Sequence, residues 1–221
     1  MYEVTFLLHL ADPADAMTTE MTVKRITAGA EAAGVRRPLV ARTLPGVRNG
    51  GDLLAHFRFA SKSDWLSHRD LVDEAMACSA IEHIDSAEYP AGHADDRYGR
   101  RADAHPSTVY RTLLLRVDDD AAPAEIARFE HATLEMPRHI PAIRAWQLSR
   151  VDRATGTSQW THVWEQEFAD LDGLLGPYMN HPVHWALVDQ WFDPESPNQI
   201  VKDRICHSFC AITAPVIDPA P

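Results

Sequence analysis

Tyr178 and His184 are the residues whose chemistry and spacing stand out in this sequence. They belong to the segment Tyr178-Met179-Asn180-His181-Pro182-Val183-His184. His184 follows Pro182 where a helix is predicted to begin, and a helix N-terminus disfavours the charged imidazolium. A neutral imidazole can take a proton, and a tyrosine hydroxyl nearby can polarise a carbonyl as an enolate forms. The pair predicts proton abstraction beside a carbonyl group.

The alternative is that Tyr178 and His184 are half-buried residues that satisfy each other or the backbone. A functional pair would suit cyclisation, aldol-type or carbon–carbon lyase chemistry. Both interpretations remain open at this point.

Four further side chains are candidates for binding a substrate. His162 and Trp164 are two residues apart in a predicted strand, so they share one face. His162 could hold His184 in one tautomer or hydrogen-bond a substrate. His181 belongs to the same motif, and Trp164 and Trp185 could line a cavity suited to an aromatic molecule.

His181 and His184 are three residues apart on a predicted helix and could in principle hold a metal ion. Zinc sites generally need three or four converging ligands, and the sequence contains no HExxH, facial-triad or CxxC pattern. Cys206 and Cys210 are four residues apart in an apolar stretch and are expected to be buried free thiols. We therefore predict no metal and no cofactor.

The elements that would position these residues occur twice along the chain. Each half has the predicted order β-α-β-β-α-β, which is the ferredoxin-like unit. Such a unit covers one sheet face with helices and leaves the other apolar face open, so two units must pack together. We predict an α+β protein whose two units form a dimeric α/β-barrel within one chain. The expected parts are residues 1–90, a polar linker at 91–107 and residues 108–221.

The predicted elements follow apolar periodicity and turn signals. Strands are expected at 2–10, 38–44, 53–60 and 81–89, with helices at 18–33 and 61–77. In the second half, strands are expected at 109–117, 142–151, 159–168 and 200–212. A helix should begin at Pro123 and end at Pro137, and a helical segment interrupted near Pro182 should span 170–191.

Charge and hydropathy exclude several classes of function. With 21 Lys and Arg against 32 Asp and Glu, the formal net charge is −11, which argues against nucleic-acid binding. No apolar run approaches the roughly 20 residues that span a bilayer, so no membrane partner is expected. The chain begins with a strand-like segment and not a signal peptide, so a cytoplasmic location is expected.

The second half, about residues 108–209, resembles the stress-responsive dimeric α/β-barrel (Dabb) family. Three features carry this resemblance, and the last is the most specific: the opening strand VYRTLLLRV at 109–117, the run Trp160-Thr161-His162-Val163 leading to Phe168-Ala169-Asp170, and the Y-x-x-H-P-x-H motif at 178–184. Within that family it is most similar to the plant polyketide cyclases of the olivetolic acid type.

The resemblance implies roles for particular residues. Tyr178 and His184 match the catalytic pair of those cyclases, and His162 matches a second pocket histidine. Arg111 stands where they place a histidine in the first strand, and a permanent cation there would favour a more acidic ligand. The first half has neither the tyrosine nor the HPxH at the matching place, Trp65–Asp70, so we expect it to have no equivalent pocket.

The leading interpretation is a cofactor-independent enzyme, a lyase or cyclase, acting on a small apolar carbonyl or phenolic molecule. Its catalytic residues would be His184 and Tyr178, with Arg111, His162 and His181 among those binding the substrate. One alternative is a non-catalytic stress or small-ligand-binding barrel, and a weaker one is a haem- or metal-dependent oxidoreductase. A small-molecule substrate is the expected partner, and a homodimer is compatible with the family.

Overall fold

The computed structural model describes residues 1–91, 97–102 and 106–217. The helices and strands of the first unit follow the predicted order β-α-β-β-α-β. Its elements are β1 Tyr2–Leu10, α1 Ala16–Ala32, β2 Leu39–Arg42, β3 Leu53–Phe59, α2 Lys62–Met76 and β4 Ile81–Pro90. Side chains at the helix starts satisfy free backbone N–H groups, since Asp15 accepts hydrogen bonds from Met17 and Thr18, and Ser61 accepts one from Asp64.

The second unit repeats this order, with an irregular last helix. Its elements are β6 Val109–Val117, α3 Pro123–His139, β7 Ile143–Arg150, β8 Arg153–Thr155, β9 His162–Phe168 and β10 Val201–Ala211. Between β9 and β10 the chain forms a short helix α4, Leu171–Gly173, two π-helical turns, Leu174–Tyr178 and Val183–Val188, and a 3-10 turn, Asp189–Trp191. No helix among the described residues is long and apolar enough to cross a membrane.

Two local features differ from the sequence prediction. α3 continues through Pro137 to His139, because a proline in the last turn removes only one helical hydrogen bond. The expected linker at 91–107 contains the short strand β5, Tyr98–Arg100, which pairs with β7. Residues 92–96 and 103–105 of that linker lie outside the described part of the chain.

The two sheets have the same arrangement of strands. The first sheet has the order β2-β3-β1-β4-β8, and the second has the order β10-β6-β9-β7-β5. Apart from the edge strands β8 and β5, both are the antiparallel sheet of a ferredoxin-like unit. The prediction of two such units forming an α/β-barrel within one chain is confirmed.

Each unit also extends the sheet of the other. β8 follows β7 of the second unit and pairs with β4 of the first. In return, the β2–β3 connection of the first unit forms isolated bridges from Thr43 and Arg48 to β10 of the second. This exchange covers edges that would otherwise leave backbone groups unpaired.

The interior between the sheets contains a buried polar network as well as apolar side chains. Gln147 donates hydrogen bonds to the carboxylates of Glu3 and Glu165, and Tyr110 donates to Glu165. His56 Nδ1 lies 3.0 Å from the hydroxyl of Thr5. The network joins the two units, because Glu3, Thr5 and His56 come from the first and the other residues from the second.

Burial and mutual repulsion hold a proton in this network. Burial and the nearby charge of Glu3 raise the pKa of Glu165 to about 8. The pKa of Glu3 is also raised, chiefly by burial, although Arg58 at 3.0 Å opposes that rise. Burial lowers the pKa of His56 to about 3, so that ring is neutral. At neutral pH the two carboxyl groups therefore share at least one proton.

We expect Glu165→Gln to stabilise the protein at high pH and to have little effect at low pH. A carboxyl with a raised folded pKa binds a proton that the unfolded chain releases above about pH 4.3, so its contribution to stability falls as pH rises towards 8. Glutamine mimics the protonated form and removes this dependence. Urea unfolding should show a gain on the order of 2–4 kcal/mol at pH 8.5 and almost none near pH 4.5. The exposed Glu82→Gln is the control, and an equal gain at both pH values for Glu165→Gln would contradict the shared-proton interpretation.

Candidate functional site

The candidate site lies on the face of the second sheet that packs against the helices. Directly paired residues on neighbouring strands share a face, and the register places Arg111 beside Gln166 and Leu113 between Trp164 and His207. These side chains lie under the helical segment that follows β9.

The segment carrying Tyr178 and His184 is helical but irregular. Asp170 caps its start by accepting a hydrogen bond from Gly173 at 2.7 Å, and Pro177 and Pro182 each remove a backbone donor. The segment therefore forms two π-helical turns in place of one regular α-helix. Irregular turns of this kind are often found at functional sites, because they redirect side chains.

Tyr178 and His184 are in contact. Their ring centroids lie 4.8 Å apart with an interplanar angle of 67°, so the rings meet edge to face. Tyr178 is 1% exposed and also packs against Phe168, at 5.3 Å between centroids. The His184 side chain is 13% exposed, so it lies at the open side of the pair.

His184 is held neutral by its surroundings. Burial lowers the pKa of His184, the carboxylate of Asp189 opposes this, and the cation of Arg111 adds to the lowering. Asp189 Oδ1 lies 3.6 Å from His184 Nδ1, too far for a hydrogen bond of good geometry. The neutral imidazole expected at a helix start is therefore explained by burial and a nearby cation. It is available as a base at neutral pH.

The hydroxyl of Tyr178 remains protonated. Burial raises the pKa of Tyr178, while Arg111, Trp164 and Gln166 lower it and Asp189 raises it. The indole nitrogen of Trp164 and the amide nitrogen of Gln166 are buried and form no hydrogen bond of good geometry with the described residues. Tyr178 is thus a hydrogen-bond donor in a region that contains other donors.

Arg111 lies beside this pair and is bound by neutral groups. Its Nε donates to His207 Nε2 at 2.7 Å, and its Nη1 donates to the amide oxygen of Gln166. Its guanidinium carbon lies 5.2 Å from the centre of the Tyr178 ring, which is cation–π distance. Burial and the cation of Arg111 lower the pKa of His207 to about 2, so His207 accepts as a neutral ring.

The first unit contributes a loop to this site. Arg48 and His207 exchange backbone hydrogen bonds of 3.0 and 2.8 Å, and Leu44 N donates to Phe209 O at 3.0 Å. A Cβ atom at Gly50 would lie 2.5 Å from the carbonyl oxygen of His207, so glycine permits this close approach. The strand that carries His207 is thereby fixed by residues about 160 positions earlier in the chain.

His162 lies on the same strand face but belongs to another cluster. Its Nε2 is 3.2 Å from Glu130 on α3, and Glu130 also receives hydrogen bonds from Arg97 and Arg150. The ring packs against Phe129 at 5.7 Å between centroids. No contact between His162 and His184 is found among the described residues, so His162 does not orient His184 directly.

His181 and Trp185 are also placed apart from the pair. His181 Nδ1 accepts a hydrogen bond from the backbone N–H of Val183 at 3.2 Å, so it satisfies one donor at the start of the second π-helical turn. Trp185 is 59% exposed and points away from the buried residues of the site. Trp164, in contrast, is buried beside Tyr178.

We expect His162→Ala to lower stability and to leave most of the activity. The change removes one partner of the buried Glu130 and the ring that packs on Phe129. Unfolding by denaturant should show a loss of about 1–3 kcal/mol. Any turnover measured below the unfolding transition should fall only a few-fold. Unchanged stability together with a loss of turnover as large as that of His184→Ala would show that His162 acts at the site.

The first unit shows no matching pair at the equivalent place among its described residues. Trp65 is buried and donates to Glu88 at 2.8 Å, while His68 is partly exposed and bonds within its own helix. The part of the chain that the structure describes does contain one group of three side chains close enough to hold a metal ion, namely Glu3, His56 and Glu165. Their atoms already bond to Arg58, Thr5, Tyr110 and Gln147 in the interior network.

Sequence reasoning did not select His207 and Gln166 as site residues. The period of two along β9 places Gln166 on the face of Trp164, which was a usable signal. His207 gave no such signal, because a bulge between Lys202 and Cys206 shifts the register of β10.

Comparison with solved structures shows the fold of the whole chain. An anthrone oxidase-like protein is 11% identical, with a TM-score of 0.67, over 96% of this chain and 91% of that chain. A putative monooxygenase from Lactobacillus acidophilus NCFM is 12% identical, with a TM-score of 0.50, over 94% and 91%. A mutant chlorite dismutase from Candidatus Nitrospira defluvii is 11% identical, with a TM-score of 0.54, over 96% and 91%. At these identities the likeness concerns fold alone.

The sequence itself matches a family in its second half. No curated protein matches the chain. Residues 109–206 match the stress responsive A/B barrel domain, and this range includes Arg111, Tyr178 and His184. The second unit of this chain is therefore similar to the stress responsive A/B barrel domain family.

Proposed function

We propose that the chain is an enzyme that removes a proton beside a carbonyl group of a small carbonyl-bearing or phenolic molecule. The observation that carries this proposal is the contact between a neutral His184 and a protonated Tyr178, at 4.8 Å between ring centroids. His184 is the base. Tyr178 donates a hydrogen bond to the oxygen on which negative charge develops.

The surroundings support this division of roles. Trp164 and Gln166 bring further N–H groups near the Tyr178 hydroxyl, and Phe168 holds the tyrosine ring. Donors that are already fixed need little rearrangement when charge develops, so they favour an enolate or phenolate over the neutral substrate. The product would arise by cyclisation or aldol-type closure through that enolate. In the reverse, lyase direction His184 would take the proton of a β-hydroxyl group, and the carbon–carbon bond would break to release the same enolate.

A second candidate is a barrel that binds a small ligand without converting it. Arg111 favours this candidate, because a buried cation with the N–H groups of Trp164 and Gln166 nearby can hold a ligand whether or not a reaction follows. The two candidates differ in one measurement. A bound compound that is recovered unchanged, with no exchange of its acidic C–H protons into deuterated water, indicates binding alone.

The test of the proposal is turnover of aromatic β-keto and phenolic carbonyl compounds across a range of pH. His184 acts as a base only when unprotonated, so activity is lost as pH falls through its pKa. Burial and Arg111 lower that pKa, so kcat/KM should reach its plateau by neutral pH, with a midpoint below about 6.5. Circular dichroism at each pH separates this effect from acid unfolding. A midpoint above 7 in a folded enzyme would contradict the assignment of His184 as the base.

A further inference from the structure

Arg111 is a buried cation that has no carboxylate partner in the described part of the chain. It is 4% exposed, and no Asp or Glu among the described residues lies within ion-pair distance of it. Five other arginines beside the sheets each meet a carboxylate: Arg58 with Glu3, Arg97 and Arg150 with Glu130, Arg100 with Glu167, and Arg153 with Glu88. Arg111 therefore differs from these five arginines in the charge of its partners.

A charge buried in this way has an energetic cost. Removing a guanidinium from water is unfavourable unless an opposite charge compensates it. His207 and Gln166 supply only neutral acceptors, and the Tyr178 ring supplies a cation–π contact. The protein therefore retains a destabilising group at the position where the candidate site lies.

The other unsatisfied groups around Arg111 are also mainly donors. Trp164 Nε1 and Gln166 Nε2 are buried close to the Tyr178 hydroxyl, and neither forms a hydrogen bond of good geometry with the described residues. The two side chains are 1% and 0% exposed. The guanidinium of Arg111 and two N–H groups that lack a well-formed hydrogen bond thus meet beside Tyr178. A ligand that complements them must bring oxygen acceptors and negative charge.

We propose that the ligand of this site is an organic acid, whose carboxylate binds Arg111 and the neighbouring donors of Trp164 and Gln166. This inference rests on the proposed function, since it identifies the class of molecule on which Tyr178 and His184 act. The planar guanidinium suits a carboxylate. Neutral His207 accepts the hydrogen bond from Arg111 Nε. The guanidinium of Arg111 therefore lies over the ring of Tyr178.

The geometry also connects the anion to the reacting pair. Arg111 lies 5.2 Å from the ring of Tyr178, which lies 4.8 Å from the ring of His184. A carboxylate on Arg111 therefore places the adjoining carbon atoms of its molecule beside both rings. The base then meets a carbon next to the acid or to a neighbouring carbonyl, and the charge of Arg111 stabilises the anion that forms.

The proposal is tested by binding and stability, measured separately from turnover. Benzoate and 2-hydroxybenzoate serve as probes in isothermal titration calorimetry, and benzamide is the uncharged match. We expect both acids to bind the parent protein at least about 10-fold more tightly than benzamide. Arg111→Met should weaken benzoate binding by about 10- to 100-fold, as expected for a charged hydrogen bond. Arg128→Met, an exposed arginine on α3, is the control and should bind as the parent does.

The melting temperature of Arg111→Met distinguishes an arginine kept for ligand binding from one that stabilises the fold. Replacing a buried, uncompensated charge by methionine of similar shape should raise the melting temperature of the free protein. Arg111→Met should therefore be more stable yet bind benzoate less tightly. A lower melting temperature would assign Arg111 a structural role and overturn the proposal. Equal affinity of the parent for benzoate and benzamide, or no binding of benzoate, would also overturn it.

The result can be separated from that of the proposed enzymatic function. His184→Ala should retain benzoate binding within a few-fold, because His184 is the base and not the anion partner. If benzoate binding depends on Arg111 while no compound is turned over, the anion site stands and the catalytic proposal fails. If a substrate is turned over through His184 but neither binding nor turnover depends on Arg111, the anion proposal fails alone.

Discussion

His184→Ala is expected to reduce kcat on a true substrate by about 10²- to 10⁴-fold, because the loss of a general base typically has an effect of that size. His184 is the partly exposed member of the pair and is neutral at pH 7. No other neutral imidazole touches Tyr178 among the described residues, so no second base replaces it. The measurement is steady-state turnover of the best substrate, with circular dichroism to confirm folding.

The control for this change is His68→Ala in the first unit. His68 occupies the equivalent region of that unit, is partly exposed and bonds to the backbone of Asp64. It should leave kcat unchanged. The pH dependence provides an internal check, since the acid limb of kcat/KM should disappear in His184→Ala. If His184→Ala turns over substrate as fast as the parent does, another group takes the proton.

Tyr178→Phe is expected to reduce kcat by roughly 10²- to 10³-fold with little change in stability. The variant loses one hydrogen-bond donor to a developing oxyanion, and that loss typically has such an effect. The ring contacts with Phe168 and His184 are kept. The buried hydroxyl forms no hydrogen bond of good geometry with the described residues, so the free energy of unfolding should be unchanged or slightly higher. Tyr2→Phe in the first sheet, where the hydroxyl bonds to Asp152 at 3.3 Å, is the matched control.

Two further results distinguish a catalytic tyrosine from a packing one. The double variant His184→Ala, Tyr178→Phe should lose less than the product of the single losses, because residues that act as a unit are not additive. The pKa of Tyr178 is raised, so the parent should show no decline in activity from this residue up to about pH 10. A Tyr178→Phe variant with parental kcat would leave the tyrosine as a packing residue only.

Most helices and strands were predictable from the sequence, because they depend on apolar periodicity and turn residues within a few positions of one another. The largely apolar run VYRTLLLRV predicted the strand Val109–Val117, and Pro182 predicted an interruption in the helical segment that begins near Asp170. The prediction that α3 ends at Pro137 was wrong, because the helix continues for two more residues to His139. The position of a proline in the sequence does not show how far it lies from the end of the helix. Strand β5 was missed because Tyr98–Arg100 pairs with β7 across more than 40 residues.

The sequence by itself determined the order of elements, the charge and the Y-x-x-H-P-x-H motif. It also indicated that Tyr178 and His184 could meet, since His184 lies six positions after Tyr178 and beyond Pro182. The tertiary structure decided which residues join them. Register across β6, β9 and β10 brought Arg111, Gln166 and His207 together, and a loop of the first unit fixed His207. The same packing pairs His162 with Glu130 and not with His184. The partners of a side chain depend on which residues face it across the sheet and helices, and these are not its neighbours in the chain.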